Sequence, residues 1–163
     1  MKTSEKALLL IKNFEGLHDG DLSKIGLQPK MCPAGIWTEG WGRAMRDKNG
    51  AFIRGAANKA LAYANISIRT IAEADAALLV DVAAREHVVL QRLKVNVTQG
   101  AFDLLVSHTY NTGGSNTLFS MFNAKAPIKK IIAWNNAHYI KGDGKVLPGL
   151  ITRRAAESKL LLG

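Results

Sequence analysis

Apolar residues recur at spacings of three and four near the start of the chain. Leu8, Ile11 and Glu15 fall on one helical stripe, with Ala7 and Phe14 beside it, which predicts a helix over residues 5–15. Gly16 follows directly and supplies a natural stop. The period is then lost. Residues 17–55 hold many glycines, Pro29, Pro33 and the short apolar pieces IGL, GIWTEGWG and AFIRG, a pattern of turns and a small antiparallel sheet. Helical spacing resumes at Thr70. Thr70-x-x-Glu73 forms a capping box, and Ile71, Ala74, Leu78, Val82 and Val89 continue a stripe to Leu93. Some two dozen helical residues would span about 35 Å, enough to connect two lobes. Shorter helices follow. One is capped by Thr98, runs through Tyr110 and is broken by Gly113-Gly114. A second covers 116–123, and a third opens at Pro127 and carries Ile131, Ile132 and Trp134. GDGKVLPG at 142–149 reads as a loop, and a last helix runs from Leu150 to Leu162. The expected class is α+β, as one domain over 1–163. Residues 1–69 form an N-terminal helix and β lobe, 70–93 the helix between lobes, and 94–163 a helical lobe.

Composition narrows the function classes. The chain has 163 residues, 47% of them hydrophobic, which suits one packed domain and not a disordered tail. Cys32 is the only cysteine, so no internal disulfide supports the fold. The apolar run from Ala7 to Ile11 is short and ends at Lys12, so no secretory signal is expected. No segment approaches the roughly 18 apolar residues of a membrane span. These features predict a chain that begins soluble in the cytoplasm. The formal net charge of +9 favours anionic polymers in general. The basic residues are scattered as singles and pairs, such as Lys129-Lys130 and Arg153-Arg154, so no nucleic-acid role is expected.

Glu15 is the acid with the most suggestive setting. It continues an apolar face near a helix C-terminus, and both burial and the helix dipole favour the protonated carboxyl that a general acid needs. A boundary glutamate paired with a surface lysine is the plainer reading. Cys32 and Thr38 flank the turn Pro33–Trp37, and a hairpin there would let both face one cleft. A hydroxyl can orient a water, and a thiolate can act as base or nucleophile. Read alone, they are a small buried thiol and a β-favouring threonine. Asp19, Asp21 and Glu39 are candidates for the second carboxylate of a glycosidase pair, or else turn formers and solvated charges. Arg153 or Arg154 would pair with Glu15. Trp37, Trp41 and Tyr110 are candidates to stack on sugar rings, and Trp134 belongs to a core stripe. His18, His87, His108 and His138 show no metal-ligand spacing, His87 and His108 read as structural, and no phosphate or dinucleotide loop is present. Neither a metal nor a cofactor is expected.

These residues resemble a known family. FEG at 14–16 followed by CPAGIWTEGWG at 32–42 is similar to the phage lysozyme signature, in which a glutamate ending the first helix precedes Asp or Cys, five residues, and Thr. TIAEADAALLVDV at 70–82, TQGAFDLLVSHTYNTG at 98–113, Leu118–Asn123, Trp134-Asn135 and LPGLITRRAAE at 147–157 continue the likeness in order. The resemblance implies a two-lobed muramidase, an endolysin that cleaves peptidoglycan between N-acetylmuramic acid and N-acetylglucosamine with inversion. It implies Glu15 as general acid, Cys32 and Thr38 as the groups that position or activate water, and Tyr110 and Thr117 as glycan contacts. It also implies a monomer that waits in the host cytoplasm and acts on the wall after release. Three departures stand out. HDGDLSKIGLQPK lengthens the gap after the glutamate, which would let Asp19 or Asp21 reach the cleft. A cysteine fills the second position, and a thiol of ordinary pKa near 8.5 is a poor base at neutral pH. Glu39 and Arg43 stand where the family often has an apolar residue and a histidine, so Glu39 is either a spare carboxylate or the partner of Arg43.

Overall fold

The computed structural model describes residues 1–142 and 144–162. The chain divides into two compact units, Glu15–Asp81 and the combination of Met1–Phe14 with Val82–Gly163. Helix α1 (Glu5–Glu15) gives all but its last residue to the second, helical unit. Helix α3 (Ile71–Arg92) is shared at Asp81/Val82.

The unit Glu15–Asp81 is organised by a three-stranded antiparallel sheet, β1 (Lys30–Met31), β2 (Trp37–Glu39) and β3 (Arg43–Ala44), in that order. Lys30 pairs with Thr38 and Met31 with Trp37; Thr38 pairs with Ala44 and Glu39 with Arg43. The CPAG sequence makes the first turn. The Cys32 carbonyl accepts from the Gly35 amide at 2.8 Å, Pro33 fixes its own φ at the first central position of the turn, and Gly35 takes the positive φ of +74° that closes a three-residue hairpin loop.

Strand alternation then decides which side chains face the core. Trp37, Met45, Ile53 and Ala62 bury together, with Tyr63 and Ile66 against them. A second cluster joins Leu27, Ile68 and Ala74 with Leu17, Trp41 and Ala77. Thr38, one residue past Trp37, faces the other way. A 3-10 turn (Ala56–Asn58) and helix α2 (Lys59–Ala64) complete the unit. Neither is evident in the hydrophobic pattern, because six residues hold too little of a helical period.

The helical unit holds α4 (Gln99–Thr112), α5 (Asn116–Asn123), α6 (Ile128–Ala137) and α7 (Pro148–Leu160). Helix α7 packs on α4 and α6, and α5 on α6. Thr98 and Ser115 cap α4 and α5 through Ala101 and Leu118, and Gly113 ends α4 at φ +81°. Phe102, Leu104, Leu105, Val106, Leu118 and Ile131 are buried, each contributing about 1.5–3 kcal/mol of apolar transfer. Ser4 ties the N-terminus to Asp103, its amide at 2.9 Å and its hydroxyl at 2.6 Å. The stretch expected as a loop over 142–149 includes Gly142 of strand β4 (Lys141–Gly142) and all of strand β5 (Lys145–Val146), which pair antiparallel. Helix α7 begins at Pro148, earlier than expected, since proline suits the first helical turn.

The capping box closes as expected: the Glu73 carboxylate accepts from the Thr70 amide at 3.0 Å, and the Glu73 amide donates to the Thr70 hydroxyl at 3.1 Å. Ala74, Leu78, Val82 and Val89 are buried along α3, whereas Ile71, counted in the same stripe, is 57% exposed. It is the first helical residue, before the stripe meets the core.

Candidate active site

Glu15 is the last residue of α1, half-buried, and Gly16 turns the chain away at φ +71°. The glutamate lies against the loop Gly40–Gly42 that joins β2 to β3. A Cβ built on Gly42, whose φ is +82°, would stand 3.1 Å from Oε2 of Glu15 and 3.5 Å from its Cβ. Glycine at 42 is what lets the carboxylate approach the backbone this closely.

Three residues on, the His18 amide donates to the Gly40 carbonyl at 2.8 Å, an isolated antiparallel bridge. The bridge brings the imidazole to Thr38, whose Oγ lies 3.0 Å from Nδ1 of His18. Thr38 is 6% exposed, and its hydroxyl donates to the Lys30 carbonyl at 2.8 Å. Burial holds the His18 imidazole below its ordinary pKa, and the Lys30 charge pushes in the same direction; the Glu15 charge opposes both.

Cys32 is half-buried, and its amide donates to the Ile36 carbonyl at 2.8 Å. This extends the Lys30/Thr38 register by one further alternate pair, so Lys30, Cys32 and Thr38 share the sheet face opposite Trp37. The unit therefore gathers a carboxylic acid, an imidazole, a hydroxyl and a thiol within one small region. Among the described residues, no cluster of three or more His, Cys, Asp and Glu could hold a metal ion, and no helix is long and apolar enough to cross a membrane.

The other expected acids serve the backbone. Asp19 accepts from the amides of Asp21 and Gln28 at 3.4 and 3.3 Å. Asp21 accepts from the amide and hydroxyl of Ser23, which, with Lys24, hold its carboxyl below the ordinary range. Both fold the 18–30 loop, in the manner of Asx turns. Glu39 is 4% exposed. It accepts from the amides of Ser67 and Ile68 at 2.9 and 3.1 Å and from the Ser67 hydroxyl, which ties β2 to the segment before α3. Arg43 clasps Asp81 at 3.0 and 2.9 Å and the Ala77 carbonyl at 2.8 Å.

Of the aromatic candidates, Trp37 is buried and donates to the Gly55 carbonyl at 2.9 Å, so it is no stacking platform. Trp41 is half-buried and donates to Asp75 at 2.7 Å. In the helical unit, Tyr110 is half-buried near the end of α4, and Thr117 is exposed in the first turn of α5. Trp134, expected in the core, is half-buried and stacks on His138 with ring centroids 4.3 Å apart. His87 is exposed on α3, whereas His108 is buried.

Arg154 is wholly buried. It donates to His108 Nδ1 at 2.7 Å and Asn111 Oδ1 at 2.6 Å, and lies 3.2 Å from Glu157. Arginine only donates, so His108 Nδ1 accepts and its ring proton is on Nε2. The 3.8 Å approach of the unprotonated Nδ1 to Glu157 is therefore not an ion pair. Arg153 places Nε 3.4 Å from Glu157 and its guanidinium 5.5 Å from the Phe14 ring centroid.

Comparison with known proteins places this arrangement in context. A family model described as phage lysozyme matches residues 12–157. An endolysin of Acyrthosiphon pisum secondary endosymbiont phage 1 is 30% identical, over 98% of this chain and 97% of its own length. An endolysin of Bacillus phage B103 is also 30% identical, but the chain spans only 54% of that protein. Among solved structures, the muramidase domain of SpmX from Asticaccaulis excentricus is 29% identical with a TM-score of 0.70, over 99% of this chain and 98% of that one. An endolysin from Escherichia coli O157:H7 phage FAHEc1 is 27% identical with a TM-score of 0.71, covering 99% and 94%.

Proposed function

The chain belongs to the phage lysozyme family, and from that premise we propose that it is a peptidoglycan hydrolase that cleaves the β-1,4 bond between N-acetylmuramic acid and N-acetylglucosamine. The observation that supports this reading best is the placement of Glu15. An acid at the end of α1 lies against Gly42, beside a strand whose Thr38 hydroxyl is held by two neighbours.

Glu15 protonates the glycosidic oxygen as the C1–O bond breaks. Water positioned by Cys32 and Thr38 attacks the anomeric carbon from the opposite face, giving an inverted reducing end. Tyr110 and Thr117 are carried over from the family resemblance as glycan contacts. The formal charge of +9 draws the protein to an anionic wall and speeds encounter at low salt. The protein starts in the host cytoplasm and works on the wall after release, as a single chain.

The test is clearing of purified peptidoglycan by wild type and by Glu15→Gln, with released fragments analysed by mass spectrometry. Wild type is expected to clear the suspension and leave hydrolysed reducing ends without 1,6-anhydro sugar. Glu15→Gln is expected to bind and fold as wild type with nearly all turnover lost. A variant as fast as wild type removes Glu15 from the role of acid. Binding without fragments from wild type replaces hydrolysis with wall recognition alone.

A further inference from the structure

His18 has no part in the roles assigned so far, yet its surroundings fix its chemistry. Thr38 has one hydroxyl proton. The Lys30 carbonyl can only accept, and at 2.8 Å it takes that proton. The 3.0 Å contact between Thr38 Oγ and His18 Nδ1 then requires the imidazole to donate. The ring is held as the Nδ1–H tautomer, with its lone pair on Nε2. Nε2 makes no hydrogen bond among the described residues. A hydroxyl that orients an imidazole through one nitrogen and leaves the other as a base follows the same logic as the third member of a nucleophile–base–orienter set.

We propose that His18 is the general base of the reaction, its Nε2 taking the proton of the attacking water while Thr38 orients the ring. The inference rests on the hydrolase reading above, with Glu15 as the acid. In the step, a water O–H bond breaks and its proton moves to Nε2 as the water oxygen bonds to C1. The C1–O bond breaks with its electron pair on the leaving oxygen, which takes the proton of Glu15. The site ends with an imidazolium and a carboxylate, and proton return through solvent resets both.

The charges fit this order. Lys30 and burial keep the ring neutral before reaction. The negative charge that appears on Glu15 as it gives up its proton favours the cation forming on His18. Cys32 is less suited, because a thiol of ordinary pKa near 8.5 is mostly protonated at neutral pH.

The experiment measures kcat and KM across pH on soluble glycan fragments for wild type, His18→Asn and His18→Ala, with and without azide. Removal of the base is expected to lower kcat by about 10²–10⁴-fold with KM little changed. It is also expected to abolish the acid limb of the pH profile. Azide needs no deprotonation, so it should restore turnover to His18→Ala and yield a glycosyl azide. Imidazole nitrogen NMR of wild type gives a second reading that needs no variant: the Nδ1–H tautomer is expected, and an Nε2–H tautomer overturns the proposal. So does a His18→Asn enzyme with wild-type kcat and pH profile, or a loss of kcat that keeps the acid limb and ignores azide. Wild type that releases no fragments at any pH sinks the hydrolase reading and this inference together, whereas unaffected His18 variants of an active enzyme sink this inference alone.

Discussion

Gly42 lies directly against Glu15: any side chain at 42 would begin 3.1 Å from Oε2. The position also has a φ of +82°, so glycine is required there twice. Gly50 separates the two effects, because its φ is +83° and a Cβ there would meet nothing within 4 Å. Gly50→Ala is expected to cost only the left-handed backbone, roughly 1–2 kcal/mol, with turnover unchanged. Gly42→Ala is expected to cost a similar stability and also to displace the Glu15 carboxylate, lowering kcat about tenfold or more, since small misplacements of catalytic groups are expensive. Denaturant unfolding and fragment release on the same preparations separate the two. Equal turnover in both variants would show that the contact at 42 does not set the position of the acid.

Glu157 is fully buried and joins α7 to α4. Its Oε1 accepts from Ser107 at 2.8 Å and faces Arg153 Nε at 3.4 Å and Arg154 Nη2 at 3.2 Å. Burial pushes the Arg154 guanidinium below its ordinary pKa, and Glu157 opposes that shift. Removing the carboxylate leaves buried guanidinium charge without its counterion. Glu157→Ala is expected to destabilise the chain by roughly 3–5 kcal/mol. The loss should appear in urea unfolding as a lower midpoint at unchanged slope. A loss below about 1 kcal/mol would mean that solvent or neighbouring acceptors replace the carboxylate, and the network would then not be what holds α7 to α4.

How far the sequence revealed this molecule depended on how local each cause was. Helix α1 ends at Glu15 because an apolar stripe meets Gly16, and both signals lie within the helix itself. The capping box of Thr70 and Glu73 is equally local. The face of Trp37 was not legible, because a three-residue strand alternates too few times to say which side is core. Only pairing with Met45 and Ile53 turns the indole inward. Asp19 and Asp21 were readable either as second carboxylates or as turn formers, and their bonds to the amides of residues 21, 23 and 28 follow the turn-forming chemistry of DGDLS. His18 was missed as a site residue because its partner is 20 residues away and the bridge to Gly40 is a single pair. The one available signal was its place three residues after the acid. Sequence alone showed no reason to join it to Thr38.

Lys30 offers a way to move the pH profile without touching a bond to His18. Its carbonyl holds Thr38, and that group survives any change of side chain. Its ammonium is one of the two causes that lower the His18 pKa from 6.5, after burial, with Glu15 acting against them. The sign follows directly. Lys30→Gln removes a positive charge that disfavours imidazolium, so the His18 pKa rises. If neutral His18 is the base, the acid limb of kcat/KM moves to higher pH and activity near pH 6 falls. The same shift couples to stability. A ring held neutral in the fold contributes stability present above 6.5, which is lost as pH falls through the folded value. Lys30→Gln narrows that window and should make the β unit less sensitive to acid. An acid limb that stays in place in Lys30→Gln, while the NMR pKa of His18 rises, would assign the limb to another group and remove His18 from the rate-limiting proton transfer.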